Sequence, residues 1–452
     1  MTMRVSPETF GALQERATTP GDPGWDAARR SFNLAVDLRP TAVVEAAGVD
    51  DVEAVVRLAG REGLRVAPFA TGHGSEALGP LDDAILLRTS ALRGIAVDPG
   101  AGVARVEAGA LAGDVAAAAG AHRLAPALGL APTVGVTGLA LGGGTGWLSR
   151  SHGLTANNVR AFEVVTAAGD RRRVDAQTEP ELFWALRGGG GRFAVVTALD
   201  LELHPVGEVS AGMMVWPADR AAEILEQFRR WTWEAPESLG AVFRYLSLPP
   251  IDAVPPPLRG RRVVAVIAAH VGSEHDGRRL LEPLRASGDK LVDTFGPVGA
   301  ADLPRVAGDP EQPGPAAGDG FMVDELTTGL VDVVAELIAD DALAPLAILE
   351  LRLLGGALSR ASAGAGALAK LDGAFSVFAG GPVLDAEASA AIDDRLADLR
   401  ARLAPWTTPQ ALLNSSRGGI DPAQAFDAAT WERLVRARDT FDPDRRLVSN
   451  HP

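Results

Sequence analysis

The stretch Ala127–Leu154, ALGLAPTVGVTGLALGGGTGWLSRSHGL, constrains this chain more than any other. Eight glycines fall between Gly129 and Gly153. Each costs conformational entropy on folding, so a run this dense implies a backbone that must pass close to something. Backbone N–H groups aimed at a ligand, often at its phosphates, are the usual reason. A second glycine-flanked turn lies in PFATGHGSEALG, where Gly72 and Gly74 bracket His73. The run LGGGTG, Leu141–Gly146, does not read as a dinucleotide-binding fingerprint. It lacks the preceding strand, the following helix and the acidic residue about twenty positions on.

Composition narrows the function classes. The net charge is −15 and the pI about 5.0, which argues against nucleic acid and against an anionic membrane surface. No apolar run is long enough to span a bilayer, and the N-terminal stretch lacks the apolar core of a secretion signal. Cysteine is absent, which removes disulfides, thiolate nucleophiles and thiolate metal sites together and fits a cytoplasmic protein. At 452 residues the chain has room for two domains.

Periodicity predicts an α+β fold. DVEAVVRLAGREG reads as a helix capped by Asp50 or Asp51 and closed by Gly63. LRVAPFA is a strand, and GIAVDPGAGVARVEAGA and VRAFEVVTAAGDRRRVDA are hairpins. PELFWALRGGGGRFAVVTALDLELHPV is a helix, a glycine stretch and a strand. From residue 205 to about 400, strands (GMMVWP, GAVFRYLSL, RRVVAVIAAHV, LAILELRLLGG, GAFSVFAGG) alternate with amphipathic helices. This predicts an antiparallel sheet with helices on one face. GDPEQPGPAAGDG, residues 308–320, reads as a loop.

Four segments together, ATGHGSEALG, APTVGVTGLALGGGTGWLSRSHGLTANNV, PELFWALRGGGGRFAVVTALDLEL and WERLVRARDTFDPDRRLVSNHP, resemble the vanillyl-alcohol-oxidase-type flavoproteins. Within them the likeness is to the berberine-bridge-enzyme-like FAD-linked oxidases, from about Pro40 to the C-terminus. The resemblance implies a PCMH-type two-part FAD-binding domain at 1–204, a substrate domain at 205–400 and a C-terminal segment at 401–452 that returns to the first. It implies FAD as cofactor, with Thr71, Gly72, His73, Gly74 and Ser75 cradling the pyrophosphate and His73 bonded covalently to the flavin. Thr133, Val134, Gly135, Gly138, Gly142, Gly143, Gly146, Trp147 and Ser149 would lie along the flavin. Asn157, with Asn158, matches the family's polar pair. Val195 and Val196 match a strand on the adenine side, and read equally as plain core. Asn414, Asn450 and His451 would return near the flavin from the tail. Many relatives carry a second, cysteinyl link; Ala131 stands at that position, so that link is impossible here.

The resemblance further implies an oxidase. FAD would take a hydride from a small to mid-sized organic substrate in secondary metabolism, by alcohol, amine or cyclisation chemistry, and O2 would be the electron acceptor. Val134 stands where relatives leave room for oxygen. The family's tyrosine base, in a YxN element, is replaced by Leu412. The base must therefore come from elsewhere or be absent, and a flavin-holding cyclase or binder with a vestigial redox step stays open. Strand alternation puts Glu350 and Arg352 on one face of ILELRLL and the leucines on the other. With both pointing toward the flavin cavity, Glu350 and Arg352 read as a structural ion pair, or as a catalytic pair in which Glu350 is a base or substrate anchor. Tyr245, the one tyrosine, reads as buried core or as the base. His270, at a strand end, is expected to be solvated. The quaternary expectation is a monomer or dimer.

Overall fold

The computed structural model describes residues 7–418 and 420–451. Three sheets organise them. The first has the order Ala17–Thr18, Ala42–Glu45, Ala84–Arg88, Arg65–Phe69, with its last three strands parallel. The helix Val49–Glu62 covers it, burying Val52, Val55, Val56 and Leu58. Its cap differs from expectation. Gly48 is the N-cap, while the Asp51 carboxylate turns back to accept from the Ala47 N–H at 2.7 Å. Gly63 ends the helix in the left-handed region, as its missing Cβ allows.

The second sheet is antiparallel and runs Ile95–Asp98, Val103–Glu107, Ala194–Pro205, Val159–Thr166, Arg171–Asp175, with Leu124–Pro126 joined to the long central strand. The third sheet is larger and wholly antiparallel. Its path is Val292–Asp293, Val209–Pro217, Arg262–Val271, Leu239–Ser247, Ile348–Leu353, Phe375–Pro382, Ala316–Val323. The helices Ala221–Trp233, Thr328–Ala339 and Ala386–Leu403 bury one face of it around Phe228, Phe243, Leu349, Leu351 and Val377. The other face packs on the glycine-rich half through Val242, Ala265, Ile267, Trp147 and Leu148. The fold is α+β, with helices on one side of the large sheet.

One sequence expectation fails here. Residues 308–320 do not form a loop throughout, because Ala316–Val323 is an edge strand of the large sheet. Its glycines hid it. A Cβ at Gly318 would sit 2.6 Å from the Phe378 ring, and one at Gly320 would sit 2.7 Å from Ser415. Close packing, not turn chemistry, demands glycine there.

The tail is tied back to the first sheet. The Val66 N–H donates to Arg446 and the Val448 N–H donates to Val66. Asp442 has no exposed surface, and its carboxylate accepts from the Arg446 and Leu447 N–H groups at 2.8 and 3.0 Å. That single buried acid sets the turn that sends residues 447–451 toward the His73 loop.

Candidate functional site

The strand Arg65–Phe69 delivers the His73 loop. Gly72 holds φ +83°, which a side chain would strain, and a Cβ there would also meet Ser31 at 2.8 Å. Among the described residues, the N–H groups of Gly72, His73 and Gly74 have no acceptor, whereas those of Ser75, Ala77 and Leu78 close local turns. Three consecutive unbonded N–H groups are the donor set that an anion cradle needs. Ser75 is buried against Ser31 rather than turned to that cradle, its hydroxyl donating at 3.2 Å.

The His73 imidazole stacks on Phe32 with ring centroids 3.7 Å apart, and its Nε2 lies 3.1 Å from the Thr133 hydroxyl. Burial drives its pKa down to about 4, with the Thr133 hydrogen bond opposing. The ring is therefore neutral at physiological pH. Phe32 carried no sequence signal; it lies before the region of resemblance and outside any motif.

From Thr133 the contacts close into a ring. Thr71 borders Gly135, and a Cβ at Gly138 would meet nothing within 4 Å, so this glycine borders open space. The Thr137 hydroxyl beside it is buried with no partner. The Gly144 N–H donates to Asn414 Oδ1 at 2.8 Å. The His451 imidazole contacts the Leu413 carbonyl through Nε2 at 3.0 Å, and the His451 N–H donates to Ala77. Asn450 packs over Gly74. Arg192 donates to the His451 carbonyl at 2.8 Å and is buried with Nε unpaired. The His73 loop, the glycine run, the Asn414 turn and the C-terminal tail are thus joined in one ring of contacts. An orphaned hydroxyl, free N–H donors and a bare glycine edge make it fit a flat cofactor with phosphates.

Most of the other glycines answer to the protein itself. A Cβ at Gly146 would overlap the Leu128 carbonyl; at Gly143 it would meet Leu368 at 2.6 Å; at Gly142, Asn414 at 2.5 Å. Ser149 is buried and its hydroxyl accepts from the Gly146 N–H at 2.8 Å, which fixes the turn. Asn157 accepts from the Gly366 N–H at 2.9 Å and donates to the Leu368 carbonyl, pinning the loop that carries both. Asn158 bridges His152, Leu154 and His204. Trp147 is buried with its indole N–H unpaired, beside an apolar cavity of about 20 Å³ shared with Leu128 and Leu303. Val134 accepts from the Ala112 N–H through its carbonyl. Val195 and Val196 lie in two different apolar cores.

On the large sheet, Arg244, Glu350 and Arg352 share the face turned to the glycine run. Glu350 Oε2 accepts from Arg244 Nε and Nη2 at 3.0 and 2.6 Å; its Oε1 accepts from Arg352 Nε and Nη2 at 3.2 and 2.7 Å. Burial would raise the Glu350 pKa, but the two guanidiniums outweigh it and hold the acid at about 2. Arg244 also pairs with Asp309 at 2.9 Å and donates to the Ala307 carbonyl at 2.7 Å. Arg352 Nη1 reaches the Thr145 hydroxyl at 3.4 Å, so this cation touches the glycine run itself.

Tyr245 takes the core reading of the two that the sequence left open, and His270 lies elsewhere than expected. Tyr245 pairs with Leu349 in register and belongs to the helix-covered core with Phe243, on the face opposite Glu350. Strand alternation separates it from the site, which removes it as the base. Tyr245→Phe is expected to leave flavin reduction unchanged, where loss of a true base would cost about 10²–10⁴-fold; stopped-flow reduction checks this. His270 is 6% exposed, not solvated, and its Nδ1 has no partner.

His204 provides a pH test. It stacks on His152 at 3.6 Å, and burial, reinforced by His152, lowers its pKa to about 4. The folded state resists protonation that the unfolded chain accepts near pH 6.5. Its contribution to stability is therefore complete above about pH 6.5 and is lost as pH falls toward 4. His204→Gln should flatten melting temperature against pH in that window relative to wild type.

A family model described as an FAD binding domain matches residues 40–175. The chain is 32% identical over 206 residues to (R)-6-hydroxynicotine oxidase of Paenarthrobacter nicotinovorans, covering 45% of each protein. It is 33% identical over 189 residues to glucooligosaccharide oxidase of Sarocladium strictum, covering 41% of this chain and 38% of that one. These matches span less than half the length of either relative. An FAD-linked oxidoreductase of Dictyostelium discoideum is 24% identical over 423 residues, covering 92% of this chain and 88% of its own. Among solved structures, Physcomitrella patens BBE-like 1 superposes with TM-score 0.85 at 19% identity over 98% of this chain and 97% of that one. The 6-hydroxy-D-nicotine oxidase of Arthrobacter nicotinovorans superposes with TM-score 0.82 at 24% identity, over 95% of each. Within the described residues no helix is long and apolar enough to cross a membrane. The chain therefore carries an FAD binding domain at residues 40–175, takes FAD as its cofactor, and has the fold of 6-hydroxy-D-nicotine oxidase and BBE-like 1.

Proposed function

We propose that this protein is an FAD-dependent oxidase acting on a small to mid-sized organic molecule, with FAD held by the Gly72–Gly74 cradle and attached through His73. The observation that carries the reading is the cradle: among the described residues, three unbonded N–H groups accompany a neutral imidazole that meets the glycine run at Thr133, and the tail packs on the same loop through Asn450. When bound, FAD accepts a hydride from a carbon bearing OH or NH and passes two electrons to O2, giving hydrogen peroxide.

The chain's own residues bind and orient. The cradle faces the pyrophosphate. The Thr133 contact suits the Nε2–H tautomer of His73, in which Nδ1 keeps the lone pair for a bond to the flavin. Asn414 is fixed through Oδ1, and among the described residues its amide N–H₂ has no protein acceptor. The division into 1–204, 205–400 and 401–452 fits the run of the sheets and the return of the tail. Glu350 is a poor base, since both its oxygens are taken by arginines. Leu412 is buried core where the relatives' base would stand. That absence favours, as the second reading, a flavin-holding protein with a vestigial redox step. Anaerobic bleaching of the flavin by a panel of alcohols and amines, with peroxide formed in air, supports the oxidase; a flavin that no substrate bleaches supports the second reading.

A further inference from the structure

We propose that the substrate oxidised at this site carries a carboxylate, received by Arg352 with Thr145 beside it. The inference rests on the flavin-site reading above and narrows its substrate class.

Glu350 accepts four hydrogen bonds, two from each arginine, which fills its acceptor capacity. It cannot also take a cationic amine. Asp309, the other acid of the cluster, pairs with Arg244 Nη2 at 2.9 Å. Arg244 and Glu350 side chains are each 5% exposed, whereas Arg352 is 24% exposed. Arg352 is thus the open member of an otherwise closed network. Glu350 holds its Nε and Nη2 edge, and among the described residues the one hydrogen bond of Nη1 is the long one to Thr145. The Nη1 donors are aimed at the glycine run, where a substrate must lie to reach the flavin. In register on the two neighbouring strands, Arg352 is flanked by the uncharged Val242 and Ser376. A guanidinium clamped on one edge and open on the other, with a hydroxyl next to it, suits a carboxylate. Glu350 is then a positioning residue that aims Arg352.

The test uses the purified holoenzyme and three probes of one shape: benzoate, benzamide and benzylamine. Calorimetry reads binding independently of redox chemistry, and the visible spectrum reads the flavin separately. Benzoate is expected to bind at least about tenfold tighter than benzamide, and benzylamine weakest. Arg352→Met should abolish that preference and Arg352→Lys keep part of it; thermal melts report whether each is folded. Equal binding of the three probes, no benzoate binding, or a preference that survives Arg352→Met overturns the proposal. Should Arg352→Met not fold, the wild-type ranking and Arg352→Lys still decide. Protein without flavin that still prefers benzoate would sink the cofactor reading and spare the anion site.

Discussion

His73→Ala is expected to yield a protein that still binds FAD but releases it entirely into acid. The N–H cradle belongs to the backbone and survives the substitution, and the tail contacts at Ala77, Leu413 and Arg192 do not involve the imidazole of residue 73. The lost parts are the nucleophile and the stacked plane on Phe32. Acid precipitation followed by a spectrum of pellet and supernatant reads the result. Yellow pellet for wild type and yellow supernatant for the variant is the expected pair. Colour in both supernatants would make His73 a loop residue whose neutral ring merely packs. Alanine also leaves Thr133 without its partner, so modestly weaker FAD binding should accompany the change.

The second large effect concerns stability. Arg244→Met should cost about 3–5 kcal/mol, the range for removing one partner of a buried ion pair. Arg244 serves Glu350, Asp309 and the Ala307 carbonyl at once, and Glu350 is deeply buried. Arg352→Met should cost clearly less, because Glu350 keeps Arg244 and the Arg352 side chain is already partly in water. Urea unfolding midpoints compare the two. A loss for Arg244→Met near the roughly 0–1 kcal/mol of a surface pair would contradict the buried-network account.

The chemistry that glycine controls was readable in advance. The His73 turn and the run from Gly129 stood out because few other features justify so much backbone freedom. Their purpose was only half readable. A sequence shows where a Cβ is missing but not what would have struck it, and at Gly142, Gly143 and Gly146 the obstacle is Asn414, Leu368 or Leu128 of the protein itself. The face of Glu350 and Arg352 followed from alternation, and the same rule, taken with the register to Leu349, puts Tyr245 on the other side. What could not be read was long-range pairing. Phe32 under His73, Arg192 against the tail and Arg244 as the second clamp on Glu350 all join residues far apart in the chain.

The central claim is that FAD occupies the space between the His73 loop, the glycine run and the tail. Native mass spectrometry of the purified protein, repeated after denaturation, tests it most directly. The account predicts one FAD per chain in the native spectrum, retained on denaturation through His73. A native spectrum with no FAD, and no uptake when FAD is supplied, would contradict it.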